Sequence, residues 1–199
     1  DNLSDEEYYQ NCIDWFTAIE RVSKRTIVKI PTKFSYVVLP AFHKALKYKW
    51  TIIQYSPNTT SHGAFNLNLY TQYIVSDGEG KTPKVDLFKN TLNNIKTEHP
   101  AEMPIAPIQK LIDWFTEPNA LILDPFMGSG TTAEACLKMK RNFVGIELNN
   151  DFVNLAMDRI RPYLQQTNVS DFCPNGTHNR NLTEDFAKSS QIAPTEQLR

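Results

Sequence analysis

Residues 120–147 read ALILDPFMGSGTTAEACLKMKRNFVGIE, and this stretch decides the fold. Ala120 to Leu123 is a short, uncharged apolar run, the pattern of a strand buried on both faces. Gly128-Ser129-Gly130 follows at once. Thr131 to Lys140 reads as a helix with Ala133, Cys136 and Leu137 facing inward, and Asn142 to Ile146 as a second buried strand. Strand, glycine turn, helix, strand and acidic residue, in that order, make a nucleotide-type βαβ unit. Gly128 and Gly130 permit positive φ and let the backbone approach a ligand closely. The helix starting near Gly130 aims its unpaired N–H groups at that ligand. Asp124 ends the first strand and Glu147 the second, which puts both carboxylates at the carboxyl edge of the sheet. Glu147 lies 17 residues beyond Gly130, where an acidic side chain accepts both ribose hydroxyl protons.

The spacing discriminates among ligands. A dinucleotide fingerprint needs Gly-x-Gly-x-x-Gly, and its third position here is Ala133. Asp124 beside the glycines repels a pyrophosphate and attracts an ammonium. Both features disfavour a nicotinamide-dependent oxidoreductase and favour S-adenosylmethionine, whose amino group and sulfonium are cationic. No Gly-Lys-Ser/Thr follows, so a P-loop is excluded. A bare tight turn would need neither acid.

Working outward, the 199 residues suggest one domain with something left over. With 41% apolar and 22% charged residues, disorder along the whole length is excluded. The three cysteines, Cys12, Cys136 and Cys173, are unclustered, which argues against a disulfide framework and for a reducing compartment. His43, His62, His99 and His178 lack ligand spacing, so no zinc site is expected. Residues 50–76 are uncharged but rich in Asn, Thr, Ser and Gln, so they are no membrane span, and no signal peptide is visible. The chain starts at Asp1 rather than Met, as a processed, trimmed or partial chain would.

The other elements follow from periodicity. Ser4 to Lys24 reads as a helix opened by a Ser4/Glu7 capping box. Thr26 to Ile30, Trp50 to Tyr55 and Tyr70 to Val75 read as strands. Ser35 to Tyr48 reads as a helix interrupted or started near Pro40. Asp77 to Pro83 is a turn or loop. Pro104 to Thr116 is a helix with Ile108, Leu111, Ile112 and Phe115 inward, and a last helix runs from Asn150 or Asp151 to about Gln165. Residues 167–199 read as a polar, loosely attached tail.

Asp124-Pro125-Phe126-Met127-Gly128-Ser129-Gly130-Thr131-Thr132 closely resembles the S-adenosylmethionine motif of amino-group DNA methyltransferases, which modify adenine N6 or cytosine N4. Asn142 to Glu147 resembles the acidic motif that follows it. His99-Pro100-Ala101-Glu102-Met103-Pro104, before a helix, is similar to the segment preceding the glycine motif in the permuted β-class of these enzymes. The resemblance implies a Rossmann-like class I methyltransferase fold: α/β, with a mixed, mostly parallel sheet and helices on both faces. It implies cofactor contacts from His99, Pro100, Met103, Asp124, Pro125, Phe126, Gly128, Ser129, Gly130, Thr131, Thr132 and Glu147. The family's reaction also uses an Asp/Asn/Ser-Pro-Pro-aromatic tetrapeptide, which polarises the target amine and stacks on the flipped base. No such tetrapeptide occurs; Ser56-Pro57-Asn58-Thr59 has one proline and no aromatic. Five strands of the family's seven can be placed. The chain is therefore expected to be a C-terminal portion, inactive alone. The remainder would be an upstream segment or a complementary chain, or would have been lost in a degenerate gene.

Residues 21–76 contain Arg21, Lys24, Arg25, Lys29, Lys33, Lys44, Lys47 and Lys49 and no acid, a charge of +8 in a chain of net −1. Arg21, Lys24, Arg25, Lys44, Lys47 and Lys49, with Asn58 and His62 in the polar loop Ser56 to Asn68, are the candidate contacts to double-stranded DNA. The expected organisation is a DNA-side half at 1–95, a cofactor half at 96–166 and a tail at 167–199. Expected too are adenine N6 ahead of cytosine N4 and a bacterial or phage-type setting in the cytoplasm at the nucleoid. Homodimer formation is an option, membrane attachment is not. The rival reading is an inactive methyltransferase fold that binds DNA or regulates a catalytic partner.

Overall fold

A computed structural model describes residues 3–57, 69–90 and 104–164. These residues form two compact units. One holds residues 3–57, 69–90 and Gln109–Glu117; the other holds 104–108 and 118–164.

In the first unit, helix α1 spans Asp5–Glu20. The predicted capping box is present. The Glu7 amide donates to Ser4 Oγ at 3.3 Å, and the Ser4 amide donates to Glu7 Oε2 at 2.8 Å. Two of the helix's orphan donors are thereby satisfied. Strand β1 (Ile27–Ile30) and a 3₁₀ turn (Thr32–Phe34) lead into α2 (Ser35–Ala45). Pro40 neither starts nor interrupts α2; it lies inside it. Pro40 is on the exposed side, where water can take up the carbonyl that its missing N–H leaves unpaired.

Strands β2 (Tyr48–Tyr55), β3 (Tyr70–Ser76) and β4 (Leu87–Lys89) complete a four-stranded sheet of order β1-β3-β2-β4. β3 is antiparallel to both β1 and β2, and β4 runs parallel to β2. β4 was not foreseen: it has three residues, of which only Phe88 is buried. Alternation along β3 divides the core. Ile74 turns toward Cys12, Phe16, Val38, Ala41 and Phe42 of α1 and α2. Tyr73 and Val75 turn the other way, toward Ile52, Phe88, and Leu111 and Phe115 of α3 (Ile105–Phe115). Helices thus cover both faces, as the fold class requires. Each fully buried large side chain contributes about 1.5–3 kcal/mol.

The second unit is β5 (Leu121–Asp124), α4 (Thr131–Lys138), β6 (Asn142–Gly145) and α5 (Asn150–Leu164). β5 and β6 are parallel, with Leu121 opposite Asn142 and Asp124 opposite Gly145. Among the described residues both senses of pairing occur: β2/β4 and β5/β6 are parallel, β1/β3 and β2/β3 antiparallel. The expectation that β5 and β6 are buried on both faces is not met. Leu121 is 69% exposed, and Val144 and Ile146 about half exposed. An apolar run records what both faces of a strand prefer; burial also requires a covering element on each. Among the described residues no helix is long and apolar enough to cross a membrane, and no cluster of His, Cys, Asp or Glu could hold a metal ion.

Candidate cofactor site

β5 delivers Asp124 to its carboxyl end. There Asp124 Oδ1 accepts the Phe126 amide at 3.1 Å, and the Asp124 carbonyl accepts the Ile146 amide at 2.9 Å. The chain then crosses to β6: the Met127 amide donates to the Ile146 carbonyl at 3.0 Å. The Met127 side chain lies over Gly145, where a Cβ would meet its sulfur. Gly128 (φ 53°) and Gly130 (φ 80°) both occupy the left-handed region. Gly130 is the N-cap of α4, and no side chain caps that helix. The predicted left-handed glycine turn is therefore present at the start of α4.

Glu147 stands where it was expected and does something more local. Its Oε2 accepts the Gly128 amide and its Oε1 the Asn149 amide, each at 2.9 Å. A carboxylate has about four acceptor positions, so two backbone donors leave room for two hydroxyls. Among the described residues Asp124 Oδ2 takes no hydrogen bond. Phe126 is 60% exposed, and Pro125 and Thr132 are half-buried. Ser129 and Thr131, by contrast, are buried and turned to α5: their hydroxyls accept from Arg159 Nη1, each at 3.1 Å. His99, Pro100 and Met103 lie outside the described residues, as do Asn58 and His62.

Sequence reasoning missed the polar network behind the turn. Arg159 Nε donates to Glu134 Oε2 at 2.7 Å, while Lys138 Nζ and Tyr163 OH meet Glu134 Oε1 at 2.8 and 3.0 Å. The one available signal was spacing: Glu134/Lys138 and Arg159/Tyr163 are i,i+4 pairs on neighbouring helices. Cys136, buried on the inner face of α4, has its thiol pushed up to about 12 by desolvation.

The basic segment looks different once folded. Lys47 and Lys49 both pair with Asp77, at 2.9 and 3.2 Å, and Lys24 pairs with Glu79 at 3.0 Å. The hydrogen bond from Lys47, then that from Lys49, draws the Asp77 carboxyl down to about 2. Arg25 donates to the carbonyls of Gly78 and Lys81 and lies over the Phe115 ring, fastening the 77–81 turn. The acid-free window ended at residue 76, just before the acids that answer it. Arg21 at the end of α1 and Lys44 in the last turn of α2 are exposed. At the carboxyl end of β2, a buried chain runs from Tyr73 OH to Gln54 Oε1 (2.8 Å) and from Gln54 Nε2 to Ser56 Oγ (3.0 Å).

With the geometry in place, comparison with known proteins is specific. Residues 44–158, more than half of the chain, match the family model for DNA methylase (N6_N4_Mtase). The type II methyltransferase M.HindIII of Haemophilus influenzae is 35% identical over 98 residues, which cover 49% of this chain and 31% of that protein. The chain spans less than half the length of the curated relatives it matches. Among solved structures, the M1.HpyAVI complex with SAM aligns with a TM-score of 0.62 at 24% identity, covering 74% of this chain and 81% of that one. The cytosine-N4-specific PvuII DNA methyltransferase aligns with a TM-score of 0.63 at 16% identity, covering 94% and 78%. These likenesses establish the class I methyltransferase fold.

Proposed function

Because the chain belongs to the DNA methylase family, we propose that residues 124–147 are the S-adenosylmethionine site of an amino-group DNA methyltransferase. The observation that carries this reading is the convergence of Asp124, the left-handed glycine turn and Glu147 at the ends of two parallel strands. The residues fit the ligand's chemistry. Asp124 keeps a carboxylate oxygen for a cationic amino group. Glu147 keeps acceptor positions for ribose hydroxyls while it holds the turn. The turn at Gly128 and Gly130 brings the backbone to the N-terminal end of α4, which no side chain caps. Phe126 offers an exposed ring beside them. When bound, S-adenosylmethionine supplies the methyl that an exocyclic base amine takes. Residues of this chain hold the donor and exclude water from it; they do not polarise the amine, since the 199 residues contain no Asp/Asn/Ser-Pro-Pro-aromatic tetrapeptide.

We assign the target as adenine N6 ahead of cytosine N4, and residues 1–95 to the DNA side. The phosphate contacts are Arg21, Lys24, Arg25, Lys44, Lys47 and Lys49, of which Arg21 and Lys44 are the most available. His99, Pro100 and Met103 close over the cofactor, and a complementary segment or chain supplies the tetrapeptide. The work is done on DNA inside a bacterial cell. Ultraviolet cross-linking with methyl-labelled S-adenosylmethionine should label the chain, while DNA incubated with both should stay unlabelled. An unlabelled chain refutes the cofactor site; labelled DNA refutes the inactivity.

A further inference from the structure

We propose that Arg159, on α5, is the positioning residue that fixes the glycine turn in its ligand-accepting shape. This rests on the reading of that turn as the S-adenosylmethionine site.

Placing an arginine there is costly. Its side chain is only 21% exposed, between the buried Ala156 and Ile160. A guanidinium in such a place is tolerated only where its donors find acceptors. Here they do. Nε meets Glu134 Oε2, and Nη1 lies 3.1 Å from each of three acceptors: the Ser129 carbonyl, the Ser129 hydroxyl and the Thr131 hydroxyl. Glu134 is itself held on both oxygens, by Lys138 and Tyr163 as well as by Arg159. The guanidinium therefore has one orientation, and that orientation grips the residues on either side of Gly130.

The grip falls on a peptide plane. Ser129 C=O and Gly130 N–H are two ends of one rigid unit. Arg159 holds the oxygen end, and the Met127 carbonyl holds the N–H end at 3.0 Å. A plane fixed at both ends does not flip, so the positive φ at Gly130 and the start of α4 are fixed with it. Three residues before Arg159, on the same face of α5, Ala156 sits against Gly130 so closely that a Cβ there would lie 2.8 Å from its own. α5 thus presses on the turn with a small residue and pulls on it with a charged one. Glu147 holds the other end of the turn through the Gly128 amide. Ser129 and Thr131 then act on the ligand through their backbone; their hydroxyls serve Arg159. Binding to a turn already in shape avoids the ordering cost that a loose loop would incur.

The test uses the 199-residue chain, with amide exchange over residues 125–133 and calorimetric titration with S-adenosylmethionine. Arg159→Met should raise exchange at the turn about tenfold and weaken binding about tenfold or more, because charged hydrogen bonds are lost. Arg159→Lys keeps the charge but cannot fork between Glu134 and Ser129, so it should restore neither fully. It also serves as the second variant should the methionine form not fold. Ile160→Val, a core change on the same helix, should lower the melting temperature and leave exchange at the turn and affinity unchanged. Unaltered exchange in a folded Arg159→Met chain overturns the proposal. So does an unaltered affinity, full rescue by lysine, or an equal loss of affinity in Ile160→Val. Failure of the unsubstituted chain to bind would instead overturn the cofactor reading, with amide exchange still deciding whether Arg159 holds the turn.

Discussion

Adding one methyl group at Gly130 tests the geometry on which the site depends. A Cβ at this position would lie 2.8 Å from Ala156 Cβ and 3.0 Å from Ala156 Cα, inside the closest approach that carbon atoms tolerate. The obstacle is helix backbone, so it cannot rotate away. The φ of 80° adds a second penalty, because alanine is disfavoured in the left-handed region by about 1–2 kcal/mol. Overpacking of this kind costs about 1–3 kcal/mol. Taken together, Gly130→Ala should destabilise the chain by about 2–5 kcal/mol, a fall in melting temperature on the order of 4–20 °C for a protein of this size. Gly145→Ala is the internal control. Its Cβ would also meet a neighbour, but that neighbour is the thioether end of Met127, which is free to move. Thermal unfolding of both variants should show a large loss for Gly130→Ala and a small one for Gly145→Ala. Equal losses, or a Gly130→Ala chain as stable as the original, would refute the close packing of α5 on the turn.

Three further outcomes are expected. Ser4→Ala removes the capping box of α1 and should cost about 1 kcal/mol, read as a lower urea midpoint. The Asp77 carboxyl is lowered from 3.8 to about 2, so its pairing with Lys47 and Lys49 stabilises the fold at neutral pH. That contribution should fade as pH falls from about 4 to 2. The difference in urea midpoint between the original chain and Asp77→Asn should be constant above that window and vanish below it. If Lys47 and Lys49 meet phosphates, replacing either with alanine should lower the slope of log K against log salt by about 0.9; an unchanged slope would leave both lysines as partners of Asp77 alone.

What could be read from the sequence was what depends on near neighbours along the chain. The Ser4/Glu7 box, the period of α1, and the order of strand, glycine turn, helix and acid are all encoded within a few residues, and all are found. What escaped was set by distant partners. β4 has one buried residue, too few for alternation to register, and exists because β2 offers it a parallel edge. Pro40 suggested a break because proline lacks a donor, but a single lost hydrogen bond on an exposed helix face does not end a helix. The charge of residues 21–76 could be counted, but its partners could not: Asp77 and Glu79, just past that window, fold back onto Lys47, Lys49 and Lys24. The partner of the Ser129 and Thr131 hydroxyls, Arg159, lies some 30 positions away in the sequence and could not be read from the motif that holds them.

Calorimetric titration of the 199-residue chain with S-adenosylmethionine, beside the same titration of Asp124→Ala, tests the cofactor site most directly. Saturable binding by the original chain is expected, weakened about tenfold or more when a charged partner of the ligand is removed. Absence of binding, or the same affinity in both chains, would contradict it.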